Sequence, residues 1–374
     1  MTPTSALAEP PSAHPAPDEV EFSAFGPGYG ECLLIHVGGG EWVVVDSCVG
    51  GDRPPYLPVL TYLERLGVDA AEAVKLVVAT HWHDDHVRGM GELVRACRGA
   101  VFALSDALKP DEVQGLLGLP PSPAERFPSG LEELTRAWTA VKGRRAHGKW
   151  ALQERELYGR APSADLPVRC RVHVLAPSDA AVTRAREEMR PLLEAAAVDV
   201  NGVAGYARVK RPDRNAGAVV LCVDVVDETT GVCTCLLLGA DLEEVRGKGW
   251  TGVLQVWGAR GKDAEVLKVP HHGSKNAHHA DVWGSMLTSE PHAVVCPYVN
   301  GDVQLPTDED RLRLCGLTPN VHATALGGRE TLRRAGKKLD RPPPLGQVTL
   351  RRRLSANAAW EVAYGGAAGP ACAG

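Results

Sequence analysis

A chain of 374 residues has room for one large domain or two small ones, and 44% hydrophobic content supplies a sizeable core. A formal net charge of −5 excludes a polypeptide that is basic throughout. The ten cysteines include no Cys-x-x-Cys pair, and most lie inside apolar runs such as Val219–Val225 and Val232–Leu238. That distribution points to buried, reduced thiols in a cytoplasmic protein and away from a disulfide framework. Met1 to Val20 is rich in Pro, Ala and Ser and lacks the basic start and apolar centre of a signal peptide. No apolar run reaches membrane-spanning length, so a membrane is not an expected partner.

Residues 1–19 read as a disordered tail. Glu21–Phe25, Cys32–Val37 and Trp42–Asp46 then read as three short strands separated by Gly-rich turns, and Tyr56–Leu66 as a helix. The apolar run Val74–Ala79, with Lys75 at its mouth, reads as a buried strand. Beyond it Val87, Met90, Leu93, Val94 and Cys97 recur at helical spacing. Between the two stands Thr80-His81-Trp82-His83-Asp84-Asp85-His86, at the kind of joint where open α/β sheets place their ligands.

His81 and His83 are two apart, so an extended loop presents both rings to one side. Asp85 and His86 follow where the chain turns into the helix and face a second point nearby. Imidazole nitrogen with carboxylate oxygen suits Zn, Mn or Fe and suits Ca poorly. A surface turn with Asp84 or Asp85 as helix cap accounts for one aspartate and for none of the histidines.

His81-x-His83-x-Asp85-His86 resembles the signature of the metallo-β-lactamase fold. The resemblance implies a four-layer αββα sandwich carrying a two-metal hydrolase centre, with the first pair of His serving one cation and the Asp-His pair the other. Gly28-Tyr29-Gly30-Glu31 resembles the Gly-x-Gly-Asp turn that opens many members, with Glu31 where aspartate is usual. Asp46 stands in the place of the strand-end aspartate that commonly orients a metal-binding His. Leu238-Gly239-Ala240-Asp241 closes a second apolar strand, and Asp241 fits the aspartate that bridges both metals in the family.

Downstream, a strand from Asp263 to Val269 ends in Pro270-His271-His272-Gly273-Ser274-Lys275. Adjacent rings in extended backbone point opposite ways, so one of His271 and His272 is expected on metal and the other toward substrate, with the choice left open. This stretch, with Arg214-Asn215-Ala216-Gly217 and the closing pattern Pro306-Thr307 through Val321-His322-Ala323-Thr324, is similar to the metallo-β-lactamase domain of the ComEC/Rec2 competence protein family. Two departures stand out. The third His of the first metal site has no counterpart between His86 and Asp241, which leaves Asn215 to take its place in a harder site favouring Mn over Zn. The membrane channel that accompanies this domain in the competence proteins is missing, so a free-standing hydrolase is expected.

One catalytic domain therefore spans residues 20–365, with an inserted, partly helical region at 105–166 and a flexible tail at 366–374. The resemblance implies hydrolysis of a phosphodiester, with nucleic acid as the expected substrate, by water activated between two divalent cations, Zn or Mn. Asp241 would bridge, with His81, His83, Asp85, His86 and His271 or His272 as further ligands. Ser274, Lys275 or the remaining His would stabilise charge on the departing oxygen. Basic clusters at Lys142–Lys149, Arg329–Arg341 and Arg351–Arg353 offer a phosphate track, against the plainer alternative of solvated charge. A small-molecule hydrolase of phosphocholine esterase, thioesterase or lactamase type is the rival enzyme, and an interaction module with a vestigial metal site the non-enzymatic one.

Overall fold

The computed structural model describes residues 9–26, 30–51, 55–109, 129–142, 144, 148–199, 215–244, 249–258, 264–300, 303–326, 330–334, 337–341 and 344–372. In chain order the strands are β1 (Glu19–Gly26), β2 (Cys32–Val37), β3 (Trp42–Val45), β4 (Val74–Ala79), β5 (Val101–Ser105) and β6 (Lys149–Ala151). They continue with β7 (Glu156–Arg160), β8 (Val168–Ala176), β9 (Val220–Asp227), β10 (Cys233–Leu238), β11 (Ala264–Lys268) and β12 (Leu287–Val295). The remaining ones are β13 (Tyr298–Asn300), β14 (Val303–Leu305), β15 (Val321–Ala323), β16 (Glu330–Arg334), β17 (Lys337–Arg341), β18 (Gly346–Arg353), β19 (Glu361–Gly366) and β20 (Gly369–Pro370).

Two eight-stranded sheets result, ordered β19-β18-β1-β2-β3-β4-β5-β6 and β20-β15-β12-β11-β10-β9-β8-β7. Alternation along each strand decides what it faces. Val20, Phe22 and Ala24 of β1 meet Leu221, Val223 and Val225 of β9 in the core between the sheets. The outer face of the first sheet, with Leu34, Trp42 and Phe102, packs under Leu63, Met90, Leu93 and Leu134 of its covering helices. The outer face of the second packs Leu237, Leu267 and Val295 under Trp250, Val253 and Leu314. Helix, sheet, sheet, helix is the expected four-layer order.

The functional loops leave the ends of strands that carry parallel neighbours. β3, β4 and β5 are mutually parallel, as are β10, β11, β12 and β15. The metal motif follows β4, Asp241 follows β10 and His271-His272 follows β11, so one edge of the sandwich collects all three. Part of the inserted region supports this edge. Its helix Ser129–Val141 packs on the helix Met90–Ala96, and a Cβ at Gly130 would lie 1.9 Å from the carbonyl oxygen of Trp82. Only glycine admits that approach to the metal loop.

Several expectations need correction. The supposed N-terminal tail is held from residue 9 on: His14 packs edge-on to Trp42 with ring centroids 6.3 Å apart, and Arg351 donates to the Ala13 carbonyl. The C-terminal tail adds β20 to the second sheet, and Cys372 forms a disulfide with Cys315. Thiols are otherwise free at eight described cysteines, seven of them buried. Arg351, Arg352 and Arg353 do not form a phosphate track, because they pair with Glu21, Glu265 and Glu19 along β18 and its surroundings. Arg144 donates to the Val94 carbonyl and Lys149 to that of Leu157. Arg145, His147 and the side chains of residues 329–341 lie outside the described residues. Among the described residues, no helix is long and apolar enough to cross a membrane.

Candidate metal centre

Asp46 organises the site. At a positive φ of 62°, uncommon outside glycine, it turns its carboxylate back over the end of β4. Oδ1 accepts from Thr80 N and Oδ2 from Thr80 Oγ1, both at 2.8 Å, and Oδ2 also accepts from His86 Nδ1 at 2.7 Å. Because the single hydroxyl proton of Thr80 goes to Asp46, His81 Nδ1, 2.9 Å from that oxygen, must be the donor of its own bond. His272 Nδ1 donates to the Cys296 carbonyl at 2.8 Å. Three imidazoles are thus anchored through Nδ1 and present Nε2 inward, the arrangement a ligating histidine needs.

The inward atoms form two groups that share one carboxylate. Ligand atoms of His81, His83 and Asp241 lie within 4.8 Å of one another, and so do those of Glu31, His86, Asp241 and His272. His81 Nε2 is 2.8 Å from His83 Nδ1 and 3.8 Å from Asp241 Oδ2. On the other side His86 Nε2 is 3.4 Å from Asp241 Oδ1, and His272 Nε2 is 3.5 Å from Asp241 Oδ2 and 3.2 Å from Asp85 Oδ2. His86 Nε2, Asp241 Oδ1 and Glu31 Oε2 are buried and, among the described residues, have no hydrogen-bond partner. Buried polar atoms left in that state are costly. A divalent cation fits this donor set and would satisfy them together.

Backbone strain is concentrated here. Asp46, Ala240, His271 and His272 all have positive φ without being glycine, a cost of about 1–3 kcal/mol each that persists where the surroundings over-determine the conformation. At Gly30 the constraint is absolute. Its φ is 110° and a Cβ would fall 1.8 Å from the Asp85 carbonyl, which accepts from Glu31 N.

Charge follows from the same crowding. Burial alone would lower the pKa of His272, but Asp241, Asp85 and Glu31 hold it up at about 10. Burial likewise opposes protonation of His86, and Asp241, Glu31, Asp46 and Asp85 raise it well above the usual histidine value. His81 is pushed down by burial, then by His86 and His83. Asp241 and Asp85 resist the upward push of burial and stay ionised through their histidine neighbours. Without metal, the imidazolium charges of His86 and His272 stabilise the fold below the ordinary value of 6.5; His272 loses that effect as pH rises through about 10, and His86 loses it well above 6.5. Cation binding near neutrality must displace those protons, so about two protons per chain should be released and affinity should weaken as pH falls. Calorimetric titration in buffers of different ionisation enthalpy checks this: a binding heat that does not vary with buffer would contradict it.

The structure separates the two adjacent histidines. His272 enters the cluster and stacks on Tyr298, with centroids 5.0 Å apart. His271 turns toward Glu243, Nδ1 to Oε1 3.6 Å. Asn215 is buried, and its amide nitrogen donates to the same Glu243 oxygen. Ser274 accepts from Asn276 N as the cap of a short 3-10 turn, and Lys275 is exposed on that turn. His279 caps the helix Ala280–Ser285.

Sequence reading missed three residues at the centre. Glu31 is fully in the cluster and not merely in a turn. Lys268, 0% exposed, forms a buried ion pair with Glu31 and donates to the Ala240 carbonyl at 3.2 Å, bracing the turn that delivers Asp241. The Glu31 carboxylate keeps that ammonium charged, its pKa raised against burial. A lysine in the middle of Val266-Leu267-Lys268-Val269 was the available signal. Glu243, which joins Asn215 to His271, gave none.

The sequence model of the Metallo-beta-lactamase superfamily matches residues 25–282. Solved structures similar to this chain include Rm3 metallo-beta-lactamase, at 14% identity and a TM-score of 0.35 over 73% of this chain and 84% of that one. Another is unliganded yeast PDE1, at 11% identity and a TM-score of 0.40 over 81% and 97%. A third is a metallo-beta-lactamase from Pontibacter korlensis, at 15% identity and a TM-score of 0.30 over 68% and 87%. A search of curated proteins finds no match.

Proposed function

The chain belongs to the metallo-beta-lactamase superfamily of hydrolases, and from that membership we propose that it is a phosphodiesterase working with two divalent cations. The observation that carries this reading is the sharing of Asp241 between the His81–His83 group and the His86–His272 group. Two divalent cations held by these residues would supply a water of lowered pKa and polarise phosphoryl oxygens for in-line displacement.

The chain's own residues supply the rest. Asp46 and the Cys296 carbonyl hold the proton of His86 and His272 on Nδ1 and leave Nε2 free to ligate. Asp85 completes the second group. On the first, Asn215 beside Glu243 stands for the histidine that the motif lacks, an oxygen donor that favours Mn over Zn. His271, oriented by Glu243, is the residue we assign to the departing oxygen, in preference to Ser274 and Lys275. Asp85 and Asp241 bring two negative charges to the cations, while the charge of Glu31 is balanced by Lys268. The narrower likeness to the ComEC/Rec2 domain rests on Leu267–Ser274 and Arg214–Gly217, and the nucleic-acid form of the proposal on the basic segment Arg329–Arg341.

Incubation of the purified chain with bis-p-nitrophenyl phosphate, plasmid and linear DNA, and RNA, each with Mn, Zn or Mg, tests the reading. Metal-dependent cleavage abolished by a chelator is expected. Turnover of a lactam or thioester with no cleavage of any phosphodiester would overturn it.

A further inference from the structure

On the outer face of the second sheet, away from the catalytic edge, β8, β9 and β10 bring together a second set of ligating groups. Leu221, Val223 and Val225 point into the core between the sheets, so Cys222 and Asp224 point outward. Cys235 stands opposite Asp224 in the β9–β10 register, and Cys222 stands opposite Leu237. Cys222 Sγ is 3.1 Å from Cys235 Sγ and 3.6 Å from Asp224 Oδ1. Ligand atoms of all three residues lie within 4.8 Å of one another. Each residue is at most 4% exposed.

Cysteine packs well as a small apolar side chain, so two buried thiols by themselves indicate nothing. A carboxylate buried within reach of both thiols adds a third ligating atom at the same point, which two packed thiols alone lack. From these contacts we propose that Cys222, Cys235 and Asp224 form a second metal site, separate from the Asp241 centre, for a thiophilic divalent cation of the zinc class. Zinc–sulfur bonds of about 2.3 Å in a tetrahedral site hold two sulfurs somewhat under about 4 Å apart, which asks for a small opening of the present pair. Binding replaces the two thiol protons, which leave to solvent, with two sulfur–metal bonds, and no electron is transferred. The resulting negative cluster has cationic neighbours: Arg171 faces Asp224 across β8 and β9, and Arg169 lies two residues further along β8, each also paired with a glutamate, Glu156 and Glu228. His173 stands opposite Cys222 on β8, on the same face of the sheet, with its ring against Trp257.

This site is distinguishable from the catalytic centre because its ligands are thiolates, while both groups around Asp241 consist of histidine and carboxylate. Cobalt(II) added to the reduced, metal-stripped chain should produce sulfur-to-metal charge-transfer absorption whose plateau corresponds to one cobalt at these sulfurs, beside the cobalt taken up around Asp241. The absorption should survive in Asp241→Asn and disappear in Cys222→Ser and in Cys235→Ser. Asp224→Asn, which preserves shape, should retain the band and weaken binding by about tenfold or more. Absence of the band in the unsubstituted protein, or its persistence in both serine variants, would overturn the proposal. If a serine variant fails to fold, an unchanged cobalt affinity in Asp224→Asn would overturn it equally.

Discussion

Asp241→Asn is expected to lower turnover of a phosphodiester by about a thousandfold or more, with loss of metal from both sides of the site. Two cations supply several kcal/mol to the barrier, and each 1.36 kcal/mol is about tenfold in rate. Asp241 is the one residue common to both ligand groups, with Oδ1 3.4 Å from His86 and Oδ2 3.8 Å from His81. Asparagine keeps the shape but removes the charge, and its nitrogen cannot ligate. His83→Ala, which touches only the first group, should lose about one cation of two, as expected for one of two sites. Metal analysis beside steady-state kinetics separates the cases. Full metal content in Asp241→Asn would contradict the assignment, whatever the activity.

Lys268→Met is expected to destabilise the metal-free fold by about 3–5 kcal/mol, because it strands the Glu31 carboxylate in a buried site. Glu31 is 1% exposed and Lys268 0%. The double variant Glu31→Gln with Lys268→Met should recover most of that loss, since removing both partners of a buried pair is often nearly neutral. A bound cation should also reduce the loss in the single variant, because the freed Glu31 carboxylate belongs to the His86–His272 group and can pair with the ion. Denaturant unfolding with and without metal checks all three statements. A single variant within about 1 kcal/mol of the parent would show that the pair is an exposed-type contact of little weight.

The ligand motifs were legible because each is local: a strand end followed by His81-x-His83-x-Asp85-His86, by Asp241, or by His271-His272. Periodicity placed the strands that carry them, as in Val74–Ala79, which the structure reproduces as β4. What depended on distant partners was not legible. Glu31 looked like a turn residue because Lys268, which neutralises it, lies 237 positions away. The choice between His271 and His272 rests on two consecutive positive φ angles, which defeat the simple alternation of an extended segment. Arg351–Arg353 resembled a binding track because sequence does not show that β18 lies antiparallel to β1, whose Glu19 and Glu21 absorb two of the charges. The C-terminal residues are small and looked unstructured, yet β15 supplies an edge for them and Cys315 a covalent anchor.

Anomalous diffraction from crystals of the manganese- or zinc-loaded protein is the most direct test of the shared-carboxylate centre. Two peaks are expected, one bounded by His81, His83 and Asp241, the other by His86, His272, Asp85 and Asp241. A single peak at this edge of the sandwich, or two peaks without Asp241 between them, would contradict the account.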